Sequence, residues 1–243
     1  MRERIQLGKW TEEGIDHLLK EASAISDTGT RIDFLSGQFL NTPYMDATLI
    51  GDASVPEVFV VNLAGVDCFT FLDYIEAMRI SRSFAEFKNN LREVRYRSVK
   101  IAYENRNHFF TDWREFNSDL IEDVTEKVST GKSRHVNKML NMKDDGTYFL
   151  PGIPARDREI TYIPSDLLDD AVIVNLKTGD YAGMYSENSG LDVSHVGILI
   201  KEKEKIKFRH ASSSSSHRKV VDEEFRKYIS DKPGVVVYRP ISI

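Results

Sequence analysis

Residues 62–78 read NLAGVDCFTFLDYIEAM and hold the only cysteine of the chain. An apolar run with strand character, EVFVVNL (57–63), feeds a short turn, and a helical pattern begins at the cysteine. Cys68, Phe71, Leu72, Ile75 and Met78 fall along one broad stripe at the 3.6-residue period, which predicts a helix over about residues 67–79. Asp67 stands where an N-cap belongs. A thiol in the first turn of a helix feels the positive end of the macrodipole, which favours the thiolate. A nucleophile suits this position.

Upstream of this stretch the pattern is helical. TEEGIDHLLKEASA (11–24) predicts a helix capped by Thr11, with Ile15, Leu18 and Leu19 on one face. RIDFLSGQFL (31–40) predicts a second, stopped by NTPY (41–44) because the residue before a proline avoids helical backbone. Another helix is expected over about 83–95. NRNHFFTDW (105–113) has no clean period and reads as a loop, and residues 131–156 as a loop-rich stretch. Further on the character becomes β: REITYIP (158–164), AVIVNL (171–176), DYAGMYS (180–186), VSHVGILI (193–200), KIKFRHAS (205–212) and GVVVYRPI (234–241), with one helix near 222–230. The serine run 212–216 reads as a mobile loop. Helices first and strands afterwards predict an α+β fold, a helical face on an antiparallel sheet, as a single catalytic domain over 1–243.

Bulk composition narrows the function. The 243 residues are 41% hydrophobic and 29% charged, an ordinary globular balance. Lys+Arg 33 against Asp+Glu 38 gives a net charge of −5, and the basic residues are scattered, so nucleic acid is not an expected partner. No run is long and apolar enough to span a membrane. The opening MRERIQLGKW lacks an apolar signal region, so any export signal is expected to have been removed. One cysteine excludes an internal disulfide.

Two of the six histidines lie on an expected β-hairpin. If its turn holds an even number of residues centred on Glu202–Lys203, His195 pairs directly with His210, their Cβ atoms about 5 Å apart on one face. An odd-length turn separates them. Cys68 as nucleophile, His195 as base and His210 as the group orienting that base fit the logic of a catalytic triad. Other readings of the same residues stay open: a small buried hydrophobic cysteine, structural strand histidines, or a Cys-His-His zinc set without any close ligand pair.

At these residues the chain resembles the NlpC-type branch of the papain-like cysteine peptidases. LNTPY (40–44) resembles the family's G-x-P-Y turn, VDCFTF its D-C element at the head of a helix, and LKTGD, VSHVGILI and RHAS its strand elements, in the family's order. NLAGVDCFTFLDYIEAM, NRNHFFTDW, GLDVSHVGIL and HASS…KVV are similar to a narrower group, the N-acetylmuramoyl-L-alanine amidase-like family. Phe69 and Thr70 stand where the endopeptidases usually have Ser-Gly, which favours the amidase branch, and Asn41 replaces the usual glycine of the turn.

The resemblance implies a papain-like NlpC-type fold, with the nucleophile-bearing helix packed on the sheet. It implies Cys68 as nucleophile, His195 as general base and then acid, His210 as its orienting residue, and Tyr44 near the oxyanion site. It further implies hydrolysis of the amide between (anhydro-)N-acetylmuramic acid and L-alanine in muropeptides, without cofactor or metal. A monomer acting in the periplasm or cell envelope is expected from such a substrate, with the cytoplasm as the other compartment. Arg106, His108, Asp112 and Trp113 offer a cation, hydrogen-bonding groups and an aromatic face for a sugar-peptide junction, and Asp67 is a further candidate contact, although helix capping also accounts for it. The rival reactions are γ-D-glutamyl-diamino-acid endopeptidase cleavage of the stem peptide, thiol acyl transfer, and muropeptide binding without catalysis.

Overall fold

The computed structural model describes residues 2–203 and 205–242. In chain order the main elements are β1 (Glu3–Gln6), α1 (Glu12–Ser23), α2 (Thr28–Gly37), β2 (Phe59–Asn62), α3 (Cys68–Arg79), α4 (Phe84–Arg95), α5 (Phe110–Phe116), β3 (Ile121–Asp123), α6 (Thr125–Val128), β4 (Arg134–Leu140), β5 (Arg156–Pro164), α7 (Asp170–Asn175), β6 (Tyr181–Tyr185), β7 (Val193–Glu202), β8 (Lys205–Ser212), β9 (Lys219–Glu224), α8 (Phe225–Ile229) and β10 (Gly234–Pro240). Helices precede an antiparallel sheet, the expected α+β order. The described residues form two compact units, one of residues 2–107, 209–222 and 242, the other of 108–203, 205–208 and 223–241. No helix among them is long and apolar enough to cross a membrane.

In the first unit, capping side chains set where the helices begin. Thr11 accepts from the Gly14 N–H, Asp27 from Thr30, and Ser83 from Glu86. Asp27 starts α2 three residues earlier than the hydrophobic pattern suggested. The amphipathic reading of α3 is too modest: every residue from Thr70 to Arg79 is buried. Its polar positions survive burial through ion pairs, Asp73 with Arg95 at 2.7 Å and Glu76 with Arg79 at 2.9 Å. Tyr74 donates nothing to solvent either; its hydroxyl accepts from the Asn62 N–H at 2.8 Å. Strand β1, unread in the charged N-terminal stretch, pairs in parallel with β2 through Glu3–Phe59 to Gln6–Asn62.

In the second unit β10 lies between β5 and β6, β6 pairs β7, and β4 pairs β5 over seven positions. The expected loop-rich stretch 131–156 therefore shrinks to residues 131–133 and 141–155. NRNHFFTDW is not a loop throughout, because α5 begins within it at Phe110. The Phe110 ring stacks on Tyr238 at 4.3 Å, and Trp113 meets Tyr181 edge-on at 5.2 Å. Gly183 makes that packing feasible, since a Cβ there would come within 2.6 Å of Phe110. AVIVNL is a helix, not a strand. Asp169 caps it through the Val172 N–H, Val172 and Ile173 face the core, and Val174 is exposed. A six-residue apolar run cannot be assigned by periodicity alone, and here the cap decides. Strand β7 is longer than expected and reaches Glu202, while β8 starts at Lys205 as expected. Lys203 takes φ 55°, as a tight turn requires, and residue 204 of the expected turn region lies outside the described residues.

Candidate active site

Cys68 is the first residue of α3 and is half-buried. Its position is fixed by a capping box: the Asp67 carboxylate accepts from the Phe69 and Thr70 N–H groups at 2.9 and 2.7 Å, and the Thr70 hydroxyl accepts from the Asp67 N–H at 3.0 Å. Asp67 thus acts as the cap, the alternative that stood beside a substrate contact. Thr70, at a position where endopeptidases have glycine, is a working member of the same box.

Tyr44 reaches this helix through backbone hydrogen bonds. Val66 donates to the Pro43 carbonyl at 3.1 Å and accepts from the Met45 N–H at 3.0 Å, which lays Tyr44 beside the residue two before Cys68. On its other side the turn is tied to β9, with Tyr44 donating to the Arg218 carbonyl and Asn41 to that of Val220, both at 2.9 Å. Asn41 has φ 68°, the left-handed region in which Asn is the next best residue to glycine. The substitution noted in the sequence is accommodated. Burial raises the Tyr44 phenol above its ordinary value, and negative charge on Cys68, Asp67 and Asp46 raises it further against the opposing Arg218 guanidinium. That guanidinium lies 4.8 Å from the centre of the Tyr44 ring. Tyr44 is therefore a protonated donor within electrostatic reach of the thiol.

His210 belongs to the same unit and is buried in the part of β8 that follows Arg209. Arg209 anchors this segment, bonding Asp222 at 2.7 Å, Asp33 at 2.8 Å and the Ser36 hydroxyl at 2.9 Å. Burial, helped by His217 and opposed by Asp222, lowers the His210 pKa from 6.5 to about 4. His210 is neutral at pH 7, suited to orienting another imidazole by a hydrogen bond. The unfolded chain binds this proton more readily, so stability should fall as pH drops from about 6.5 to about 4 and then level off. The span corresponds to roughly 3 kcal/mol at ~1.4 kcal/mol per pKa unit. Urea unfolding across this window, compared with His210→Asn, should show a shallower slope in the variant; identical slopes would contradict it.

His195 lies on β7 in the second unit, opposite Met184, with its ring half-buried and 6.0 Å from Phe208. The pairing jumps from His195–Met184 to Val193–Tyr185, so Ser194 is a bulged residue adjacent to the histidine. Bulges re-aim neighbouring side chains and recur beside active sites.

The expected binding loop has a different role. Arg106 forms a fork on the Glu57 carboxylate and bonds the Gly51 carbonyl. Asp112 is 3% exposed and accepts from Arg156 at 3.1 Å and Arg158 at 2.6 Å, while Trp113 is fully buried. These three residues serve the interior of their units and do not present a sugar-binding face. His108 is half-buried just before α5. Among the described residues no cluster of three or more His, Cys, Asp or Glu side chains is arranged to hold a metal.

The sequence reading missed a cleft of about 350 Å³ in the first unit, lined by Tyr44, Arg4, Gln6, Asp46, Thr48 and Arg218 among others. Its one legible signal was the alternation R-x-Q at 4 and 6, which puts two polar side chains on one face of a strand.

Residues 34–235 match the AmiA-like family, described as N-acetylmuramoyl-L-alanine amidase-like. A search of curated proteins finds no match. Among solved structures, a Legionella pneumophila protein of the DUF1460 family superposes with TM-score 0.80 at 21% identity, covering 95% of this chain and 94% of that one, a likeness of fold. An N-acetylmuramoyl-L-alanine amidase from Bacteroides uniformis superposes with TM-score 0.70 at 26% identity, covering 88% and 98%.

Proposed function

The chain belongs to the N-acetylmuramoyl-L-alanine amidase-like (AmiA-like) family, and on that premise we propose that it is a cysteine-dependent amidase that cuts the bond between (anhydro-)N-acetylmuramic acid and L-alanine in muropeptides. The observation that carries this reading is Cys68 at the capped head of α3, with Tyr44 held beside it by the Val66 backbone bonds.

The Cys68 sulfur attacks the lactyl carbonyl of the muramic acid after His195 accepts the thiol proton. The positive end of α3 stabilises charge on that sulfur. His210, neutral at pH 7, orients His195. The Tyr44 hydroxyl and the Cys68 N–H donate to the oxyanion of the tetrahedral intermediate. The C–N bond breaks, His195 protonates the departing L-alanine nitrogen, and the intact stem peptide leaves. Water, deprotonated by His195, then hydrolyses the muramoyl thioester and restores the thiol. The enzyme works as a monomer in the envelope or periplasm, where muropeptides arise.

Incubation with purified disaccharide-anhydro-tetrapeptide, with products resolved by mass spectrometry, tests the reading. Free disaccharide plus intact tetrapeptide is expected. A dipeptide-bearing sugar would move the cut to the γ-D-glutamyl bond, and no cleavage at all would overturn the hydrolase reading. Tyr44→Phe should lower kcat by about 10²–10³, the usual loss for one oxyanion donor, with KM little changed. An unaltered kcat would remove Tyr44 from the oxyanion site.

A further inference from the structure

Hydrolysis of an amide by a thiol and an imidazole needs no guanidinium, yet the cleft beside Tyr44 has two. We propose that Arg4 and Arg218 form a subsite for a free carboxylate on the peptide part of the substrate. The inference rests on the muropeptide reading above and names what its leaving group must carry.

Arg4 and Gln6 share one face of β1, set by the register of Arg4 with Val60 and Gln6 with Asn62. Arg218 enters from a left-handed backbone position, φ 48°, with its guanidinium over the Tyr44 ring. Among the described residues neither Arg4 nor Arg218 has a carboxylate partner, and Asp46 is the only acid lining the cleft. Two like charges converging on one cleft repel each other, and an anion between them relieves that repulsion. A guanidinium fork matches a planar carboxylate through two parallel hydrogen bonds. The Thr48 hydroxyl oxygen is buried in the same lining with no hydrogen-bond partner among the described residues, a neutral group left for a ligand.

The chemistry of a muropeptide then identifies which part enters. N-acetyl sugars are neutral, and the lactyl carboxyl is consumed in the scissile amide. The remaining carboxylates all lie on the stem peptide. Charge at this cleft therefore reads the leaving group and makes the enzyme selective for peptides that keep their free acids.

The test uses full-length Cys68→Ala protein, which binds without turnover, titrated calorimetrically with free stem tetrapeptide and with the same peptide fully amidated at its carboxyls. The acidic peptide should bind at least about tenfold tighter, as expected for charge-assisted pairing. Arg4→Gln and Arg218→Gln should each erase most of that preference, and Arg218→Lys should retain part of it. Equal binding of the two peptides, or a preference that survives both glutamine variants, overturns the inference. In the active enzyme Arg4→Gln, at an exposed side chain, should raise KM for the acidic muropeptide and leave kcat in place; a fall in kcat at constant KM counts against the subsite. Cleavage of muropeptide with indifferent binding would sink the subsite alone. Arginine-dependent binding without any cleavage would sink the amidase reading alone.

Discussion

Cys68→Ala should lose at least about 10⁴ in rate on disaccharide-anhydro-tetrapeptide, the scale on which removing the nucleophile of a triad acts. The thermal midpoint should hardly move. The capping box is built from the Asp67 carboxylate, the Thr70 hydroxyl and backbone N–H groups, so the Cys68 side chain takes no part in starting α3. Alanine is also the best helix former, and Cys68 is only half-buried, so little packing is lost. Loss of activity with an unchanged midpoint separates chemistry from folding. Asp67→Ala should do the opposite first: losing the cap costs about 1 kcal/mol of stability, a cost read in the urea midpoint. Residual activity in Cys68→Ala near the wild-type rate would end the thiol mechanism, whatever the products.

The largest stability effect is expected at Asp73. Its carboxylate faces Arg95 at 2.7 Å deep in the first unit, where both side chains are 3% exposed or less. Arg95 also donates to the Val60 carbonyl at 2.7 Å and lies against the Tyr74 ring, while its Nη2 has no partner among the described residues. Among the described residues the Asp73 carboxylate is thus the counter-charge of this guanidinium. Asp73→Ala leaves a buried unpaired cation and should cost about 3–5 kcal/mol, a large part of the 5–15 kcal/mol that holds a typical domain together. The double variant Asp73→Leu/Arg95→Met removes both charges and should recover most of that loss. Urea midpoints of the two proteins decide the matter. If the single variant is no weaker than the double, the pair is not what neutralises α3.

Much of the site was legible before any tertiary contact was known, because its signals are local. A helix start is written in a few consecutive residues, and Asp67, Cys68 and Thr70 fulfil it through bonds that never leave the first turn. The Asn-Thr-Pro-Tyr turn is equally local: Pro43 restricts its predecessor and Asn41 tolerates positive φ. The strands that hold His195 and His210 are apolar, bounded by polar turns, and run long enough to be recognised. Asp180 closes the turn before β6, accepting from the Lys177 N–H at 2.8 Å, and also clasps Arg239.

Elsewhere local pattern was overruled. Asp73, Glu76 and Arg79 look like the solvent face of an amphipathic helix, and only their partners reveal that they are interior. Arg106, Asp112 and Trp113 have the chemistry of a binding loop, but Glu57, Arg156, Arg158 and Tyr181 engage them far along the chain. By itself the sequence determined where the cysteine-bearing helix begins, which residue caps it and which turn carries the tyrosine, since those depend on bonds between near neighbours. Tertiary structure alone decided which polar side chains are spent inside and which, like Arg4 and Arg218, remain to line a cleft. A charge is free or engaged according to what the rest of the chain brings within a few ångströms, and that information is not local.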